Sequence, residues 1–355
     1  RCYAEYIAWL GEEFETIALV NAKDIDEQSS AIFDRVIHKE TNWNMQDVVN
    51  IVSMESPDII YYPSIGMNTW VIMMSNIRLA PVQVMSFGHP ATSTSSEIDY
   101  AYQAGSKHSE GEGLDCTEKL LYGPVIEANE PWSAFIPNVR ATDLPDSTKL
   151  VAEHPERVVA INAKIMKLNA VFLQMLQLLR DDQAKLGRHI QWQFYPAEKG
   201  FGFDGLSSYL EKQLGSVVVY PYQTYPEFLE SLAACHLSLV PFPFGNTNST
   251  VDASLLGIPV IFLHGNAPAS VGDVLVMERL QCFESAAAHS IEEYYTMAME
   301  YLEGGQGYSE YASALRERCN LELMESGSEY LEKDISRFVS QMKSLVSTDA
   351  TLTRA

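Results

Sequence analysis

The sequence predicts an α/β protein: two Rossmann-like domains whose parallel sheets face a cleft. Three observations carry this expectation. Short apolar runs alternate with segments of helical periodicity along almost the whole chain, the pattern of parallel strands joined by helices. At 355 residues the chain exceeds what one hydrophobic core usually serves. The alternation pauses once, over the Pro-containing stretch 127–148, and then restarts. Domains of 1–140 and 150–345 follow, the second carrying the C-terminal helices.

In the first domain helices are expected over Arg1–Leu10, Asp24–His38, Met45–Glu55 and Thr69–Leu79. Strands are expected at Phe14–Val20, Pro57–Pro63, Val82–Phe87, Ile98–Gln103 and Lys119–Tyr122. A doubly wound domain normally opens on a strand, whereas this pattern opens on a helix. It reads as entered one strand late, as a fragment or with residues missing before it. In the second domain strands fall at Arg157–Asn162, Ile190–Phe194, Val217–Tyr220, Leu237–Phe242 and Pro259–Leu263. Helices fall at Asn169–Lys185, Leu206–Leu214, Pro226–Ala234 and Ser249–Leu256, and the chain is mostly helical from Ile291 to Val346.

Composition narrows the function. A net charge of −23 argues against gripping nucleic acid or anionic lipid by bulk electrostatics. No apolar run is long enough to cross a bilayer, so no membrane insertion is expected. The five cysteines, Cys2, Cys116, Cys235, Cys282 and Cys319, form no C-x-x-C pair and suit a reducing, cytoplasmic setting. An anionic substrate would meet a repulsive average field, so a phosphate site must be locally positive.

Three strand-to-helix junctions offer such chemistry. In LVPFPFGNTNSTVDASLLGIPV, a strand ends in the turn Gly245-Asn246-Thr247-Asn248 and a helix starts near Ser249. A helix start presents N–H groups and partial positive charge to an anion. Asn246, Thr247, Asn248 and Ser249 are candidate phosphate ligands there, with Asp252 one turn on as a ribose acceptor; helix capping is the competing explanation for the Ser-Thr-Val-Asp part. In AINAKIMKLN, Lys167 follows the second domain's first strand and could reach a diphosphate. In LAPVQVMSFGHPATST, a strand runs into His89, suited to acid–base work near neutrality and equally to a structural turn. The triplet Asp24-Ile25-Asp26 reads as acidic residues in a first helical turn, and the histidines show no metal-ligand spacing.

At these segments the chain resembles the bacterial cytoplasmic N-glycosyltransferases that modify high-molecular-weight adhesins, relatives of the O-GlcNAc transferases. PDIIYYPSIGM, SNIRLAPVQVMSFGHPATSTSSEIDY, IMKLNAVFL and LVPFPFGNTNSTVDASLLGIPV carry the resemblance, which spans roughly residues 50 to 285. It implies a GT-B fold, an acceptor-side first domain and a UDP-sugar-binding second domain. It implies an inverting transfer of a hexose, usually glucose, from UDP-hexose to Asn in an N-x-S/T sequon, with no metal and no cofactor. By the same resemblance Lys167 neutralises the donor diphosphate, Asn248 hydrogen-bonds it and Asp252 holds the ribose. His89 lies beside sugar and acceptor, and Tyr225 falls at a donor-side tyrosine position. Lys167 and His89 are thus the catalytic candidates. The acceptor implied is a protein or peptide, such as an adhesin.

The family's helical N-terminal domain has no counterpart here, which admits a partner chain or a missing N-terminal region. Glu198 lies in the loop YPAEKG near the expected nucleotide position, where an acid needs a neutral partner or must point away. Alternatives that stay open are an O-linked or glycan-extending transferase with the same donor site, a non-catalytic UDP-sugar-binding partner subunit, and, on weaker grounds, a UDP-sugar epimerase.

Overall fold

The computed structural model describes residues 4–22, 30–39, 43–66, 68–105, 115–125, 144–145, 156–197, 200–265, 268–320 and 329–352. Most of the expected linker 127–148, the triplet at 24–26 and Glu198 lie outside the described residues. The chain divides into two compact units, one of 1–134 with 327–355 and one of 135–326.

The first unit runs α1 (Ala4–Leu10), β1 (Ile17–Asn21), β2 (Arg35–Lys39), α2 (Met45–Glu55), β3 (Ile59–Tyr62), α3 (Thr69–Met74), β4 (Val82–Ser86), β5 (Tyr100–Gly105) and β6 (Lys119–Val125). β1 and β2 form a parallel pair, and β3, β4, β5 and β6 form a four-stranded parallel sheet in that order. Every residue of β4 is buried, as expected for a strand covered on both faces. α2 starts where the Asn44 side chain accepts from Asp47 N at 2.9 Å and ends at Ser56 in the left-handed region.

Two sequence expectations fail in this unit. Asp24–His38 was expected as one helix, yet Arg35–Lys39 is a strand in register with Ile17–Asn21. The β-branched pair Val36-Ile37 suits a pleated surface, and pairing with β1 overrides the local helical spacing. The second domain was expected to run to 345 with the C-terminal helices. The last helix, Glu329–Leu352, instead belongs to the first unit. Its Ile335, Phe338 and Met342 lie on one face and are buried with Tyr6, Leu10, Val84 and Tyr102. Asp334, fully buried on the same helix, accepts from Tyr102 Oη at 2.6 Å and from Tyr6 Oη. Burying Phe338 alone contributes roughly 1.5–3 kcal/mol, which explains why tertiary packing rather than chain order assigns the helix.

The second unit runs β7 (Arg157–Ile161), α4 (Ala170–Lys185), β8 (Ile190–Phe194), α5 (Phe201–Leu214), β9 (Val217–Val219), α6 (Tyr225–Ala233), β10 (Leu237–Leu239), α7 (Thr247–Leu255), β11 (Val260–Leu263), α8 (Pro268–Arg279), α9 (Phe283–Ala286), β12 (Ala287–Ala288), α10 (Ile291–Glu303) and α11 (Gln306–Arg318). Its six strands are parallel in the order β12-β11-β10-β7-β8-β9. Counted from β7, that is the doubly wound order 6-5-4-1-2-3. The winding direction reverses between β7 and β10, so their carboxyl ends open the crevice where such sheets take ligands. α4 buries Phe172, Leu173, Leu176 and Leu179 along one face. α6 opens with a capping box between Thr224 and Glu227.

Candidate active site

The switch point of the second unit gathers the candidates of that half. β7 ends at Ile161, and the next residue, Asn162, is buried. Its Nδ2 lies 3.3 Å from Ser238 Oγ on β10. A short 3₁₀ turn, Ile165–Lys167, follows. Asn169 then caps α4 by accepting from Phe172 N at 3.0 Å, while its amide donates to the Phe242 carbonyl beyond β10. The two loops flanking the switch point are thereby tied together.

Lys167 reaches across this junction. Its Nζ donates to the Gly245 carbonyl and, at 2.9 Å, to Asn246 Oδ1. The Asn246 amide in turn donates to the Asn162 carbonyl. Burial lowers the Lys167 ammonium from its ordinary value, opposed by the charge of Asp273. Asn162 Oδ1 is buried without a hydrogen-bond partner among the described residues. An orphan acceptor of this kind marks a position where a donor group can be taken up.

Asp273, on α8, was not found from the sequence. It is fully buried, accepts from Asn246 N at 2.9 Å and from Thr250 Oγ1 at 2.6 Å, and burial raises it from 3.8 to about 6. Gly245 makes the arrangement possible, because a Cβ there would run into the Ala269 carbonyl and the Asp273 carboxylate. The available signal was an acid inside the otherwise apolar helix PASVGDVLVM, since a charge so placed needs partners.

The helix after this turn begins at Thr247, two residues before the expected start at Ser249. The Asn246 carbonyl accepts from Ser249 N at 2.7 Å and Thr250 N at 3.0 Å, which closes the first turn. Ser249 N–H is therefore engaged within the first turn rather than aimed at the loop. The Thr247 side chain packs against Gly272 of α8, while Asn248 is exposed. One turn on, Asp252 is buried and accepts from Tyr225 Oη at 2.6 Å. Tyr225, the first residue of α6, is thus brought against α7, the helix that carries Asn248 and Asp252.

In the first unit His89 sits just beyond β4, half-buried. Gly88 N donates to the Pro63 carbonyl at 3.0 Å, which joins the loops after β4 and β3. Gly66, in the loop after β3, has φ +111, and a Cβ on it would collide with the His89 ring. The Ser/Thr-rich loop that follows is held by Glu118, which accepts from Ser93 N at 2.8 Å and Thr92 Oγ1 at 2.8 Å. Burial would raise this carboxylate, but the bonds from Ser93 and Thr92 outweigh it and lower it. Glu118 escaped the sequence reading, because a single acid before a strand gives no sign of its partners.

No known family profile matches the chain. Two proteins of Actinobacillus pleuropneumoniae, both UDP-glucose:protein N-beta-glucosyltransferases, do align with it. One, from serotype 5b (strain L20), is 29% identical over 322 residues, covering 89% of this chain and 50% of its own. The other, from serotype 7 (strain AP76), is 29% identical over 314 residues, covering 87% and 49%. The chain spans about half the length of these relatives. Among solved structures, a variant of the O-GlcNAc transferase of Thermobaculum terrenum superposes with a TM-score of 0.70 at 15% identity, over 99% of this chain and 67% of that one. The chain is therefore similar in sequence to the protein N-glucosyltransferases and shares the GT-B fold of an O-GlcNAc transferase.

Proposed function

We propose that the chain is an inverting glycosyltransferase that moves a hexose, most simply glucose, from UDP-hexose to an Asn side chain of an acceptor protein. The observation that carries this reading is Lys167 held to Gly245 and Asn246 at the switch point, in a chain of net charge −23. A half-buried cation kept in place beside a helix start suits a diphosphate. The names of the two relatives supply the donor and the kind of acceptor.

In a direct displacement the acceptor attacks the anomeric carbon as negative charge builds on the departing UDP. Lys167, the Asn248 side chain and the N–H groups at the start of α7 would face that charge. Asn246, locked by Lys167 and Asp273, would hold the turn rather than touch the donor. Asp252, oriented by Tyr225, would accept from ribose hydroxyls, and His89 would position the acceptor or take its proton. No metal and no cofactor enter this scheme.

An adhesin-like acceptor and a cytoplasmic setting complete the proposal. Cys116, Cys235, Cys282 and Cys319 are unbridged, which suits a reducing compartment. Among the described residues no helix is long and apolar enough to cross a membrane.

The test is to incubate the chain with several UDP-sugars and a sequon peptide, with and without chelator, and weigh the products. A peptide heavier by one hexose, located on Asn and insensitive to chelator, is expected. Sugar on Ser or Thr would favour the O-linked reading, and UDP binding without any transfer would favour a partner-subunit role.

A further inference from the structure

The turn that holds Lys167 has an acid sealed behind it. Asp273, on α8, is at 0% exposure. Its Oδ2 accepts from Asn246 N at 2.9 Å, and its Oδ1 accepts from Thr250 Oγ1 at 2.6 Å. A Cβ on Gly245 would stand 2.7 Å from Oδ2. The carboxylate therefore lies against Gly245 and Asn246, the two residues whose oxygens hold the Lys167 ammonium. Behind a diphosphate site its charge has the same sign as the ligand, and burial leaves that repulsion little screened.

The lysine gives the carboxylate a use. Burial lowers the Lys167 ammonium, and the charge of Asp273 opposes that lowering. A diphosphate bound at Lys167 supplies the opposing charge itself, and two anionic groups then share one cation. A buried carboxylate in that position is driven to take up a proton. Its two hydrogen bonds allow this without rearrangement. A neutral carboxyl still accepts from Asn246 N at one oxygen. The other oxygen can donate to Thr250 Oγ1, because a hydroxyl both donates and accepts. The proton thus changes the charge of the site and leaves the shape of the turn.

We propose that Asp273 is the resident counter-ion of Lys167 and a positioning residue for the donor, neutralised by proton uptake when a nucleoside-diphosphate sugar binds. This rests on the donor-site reading given above. Donor affinity then rises as pH falls through the range where Asp273 titrates, about 6 in the folded chain. The surroundings of Asp273 fit this coupling. From the loop after β7, Lys167 is the cation whose charge acts on it. Tyr294 faces it from α10, donates to the Val240 carbonyl and is raised by burial, so it stays neutral near pH 6. On α7, Asp252 accepts from Tyr225, and beyond β11 His264 packs against Phe283 and His289. Glu284 of α9 is exposed, and Glu278 and Arg279 lie more than a turn further along α8.

The test is calorimetry of UDP-glucose binding to the full chain at pH 6.5, in PIPES and in imidazole. The two buffers differ in ionisation heat, and UDP-glucose has no group that titrates near this pH, so the difference reads protons taken up by the protein. The expected uptake is about half a proton per donor, as for a carboxyl moved up by one unit from its folded value. The same shift makes binding roughly fivefold tighter at pH 5.5 than at pH 7.5. Asp273→Asn keeps the hydrogen-bond pattern of the neutral acid. It should bind at pH 7.5 as the native chain does at pH 5.5, and take up no proton. His89→Ala, which removes the other titratable group assigned to the reaction, should retain the uptake. Binding heat without proton uptake in the native chain would overturn the proposal alone. Uptake that persists in folded Asp273→Asn, or that vanishes in His89→Ala, would overturn it too. If Asp273→Asn does not fold, the native and His89→Ala measurements decide. No heat at any pH would remove the donor-site reading, and this proposal with it.

Discussion

The Lys167 ammonium and the Asp273 carboxylate are linked through Asn246, whose side chain accepts from Nζ at 2.9 Å and whose backbone N–H donates to Oδ2 at 2.9 Å. Lys167 comes from the loop after β7, Asn246 from the loop after β10 and Asp273 from α8. The network therefore fixes the mouth of the sheet at its switch point, and among the described residues its cation is held by neutral oxygens of Gly245 and Asn246 rather than by a contact ion pair. Such a cation keeps its attraction for an incoming anion.

Lys167→Ala is expected to lower turnover with UDP-glucose by about 10²- to 10³-fold, the loss of one preorganised charge partner in the transition state. Lys167→Arg should recover little, since a planar guanidinium cannot replace a point ammonium aimed at two oxygens. Steady-state kinetics check this, with circular dichroism to show an intact fold. Near-normal turnover in the alanine variant would remove Lys167 from the donor site.

Burial of Asp273 makes the stability of the fold depend on pH. It raises the carboxyl from 3.8 to about 6 in the folded state. Between those values the folded chain binds the proton more tightly than the unfolded chain. This group's contribution to stability therefore falls as pH rises through that window. Asp273→Asn removes that contribution. Whatever the variant loses in hydrogen bonds at pH 4, its stability relative to the native chain should improve by up to about 3 kcal/mol by pH 7. Urea unfolding at both pH values measures the difference, and a difference that does not change with pH contradicts the assignment.

The site was legible in the sequence where a strand end, a turn and a helix start are contiguous. Lys167, Asn246 and Asn248 could be placed together because a parallel sheet puts such loops at one edge. Asp273 could not, because it reaches the turn from a helix more than twenty residues further along. Tyr225 was placed only by resemblance, and nothing in its local pattern announces a hydroxyl aimed at Asp252. The fold was legible through its buried strands, whose apolar runs have no competing helical reading. Arg35–Lys39 was misread because an acidic, helix-spaced segment precedes it and the deciding partner, β1, lies elsewhere in the chain. The C-terminal helix was misplaced for the same reason, its apolar face being complementary to residues as distant as Tyr6.

The Tyr225–Asp252 bond yields a prediction that separates recognition of the nucleoside from recognition of phosphate. Tyr225→Phe removes a donor 2.6 Å from a buried carboxylate, and with it a hydrogen bond that orients Asp252. If Asp252 holds the ribose, calorimetry should show UDP affinity falling about tenfold while pyrophosphate affinity changes little. Equal losses for both ligands would assign the pair to the phosphate region or to the scaffold.

Gly66 controls His89 from the loop after β3. Its φ of +111 is one that L side chains rarely adopt, and a Cβ would occupy the space of the imidazole. Gly66→Ala should therefore displace the ring without touching its chemistry, whereas His89→Ala deletes it. If His89 positions the acceptor, both variants should slow transfer to a sequon peptide by tenfold or more and leave hydrolysis of UDP-glucose nearly unchanged. The two substitutions together should cost no more than the worse of the two, because they act on one contact. Additive losses would mean that Gly66 serves the loop independently of the histidine. Equal slowing of transfer and hydrolysis would move His89 from the acceptor to the donor.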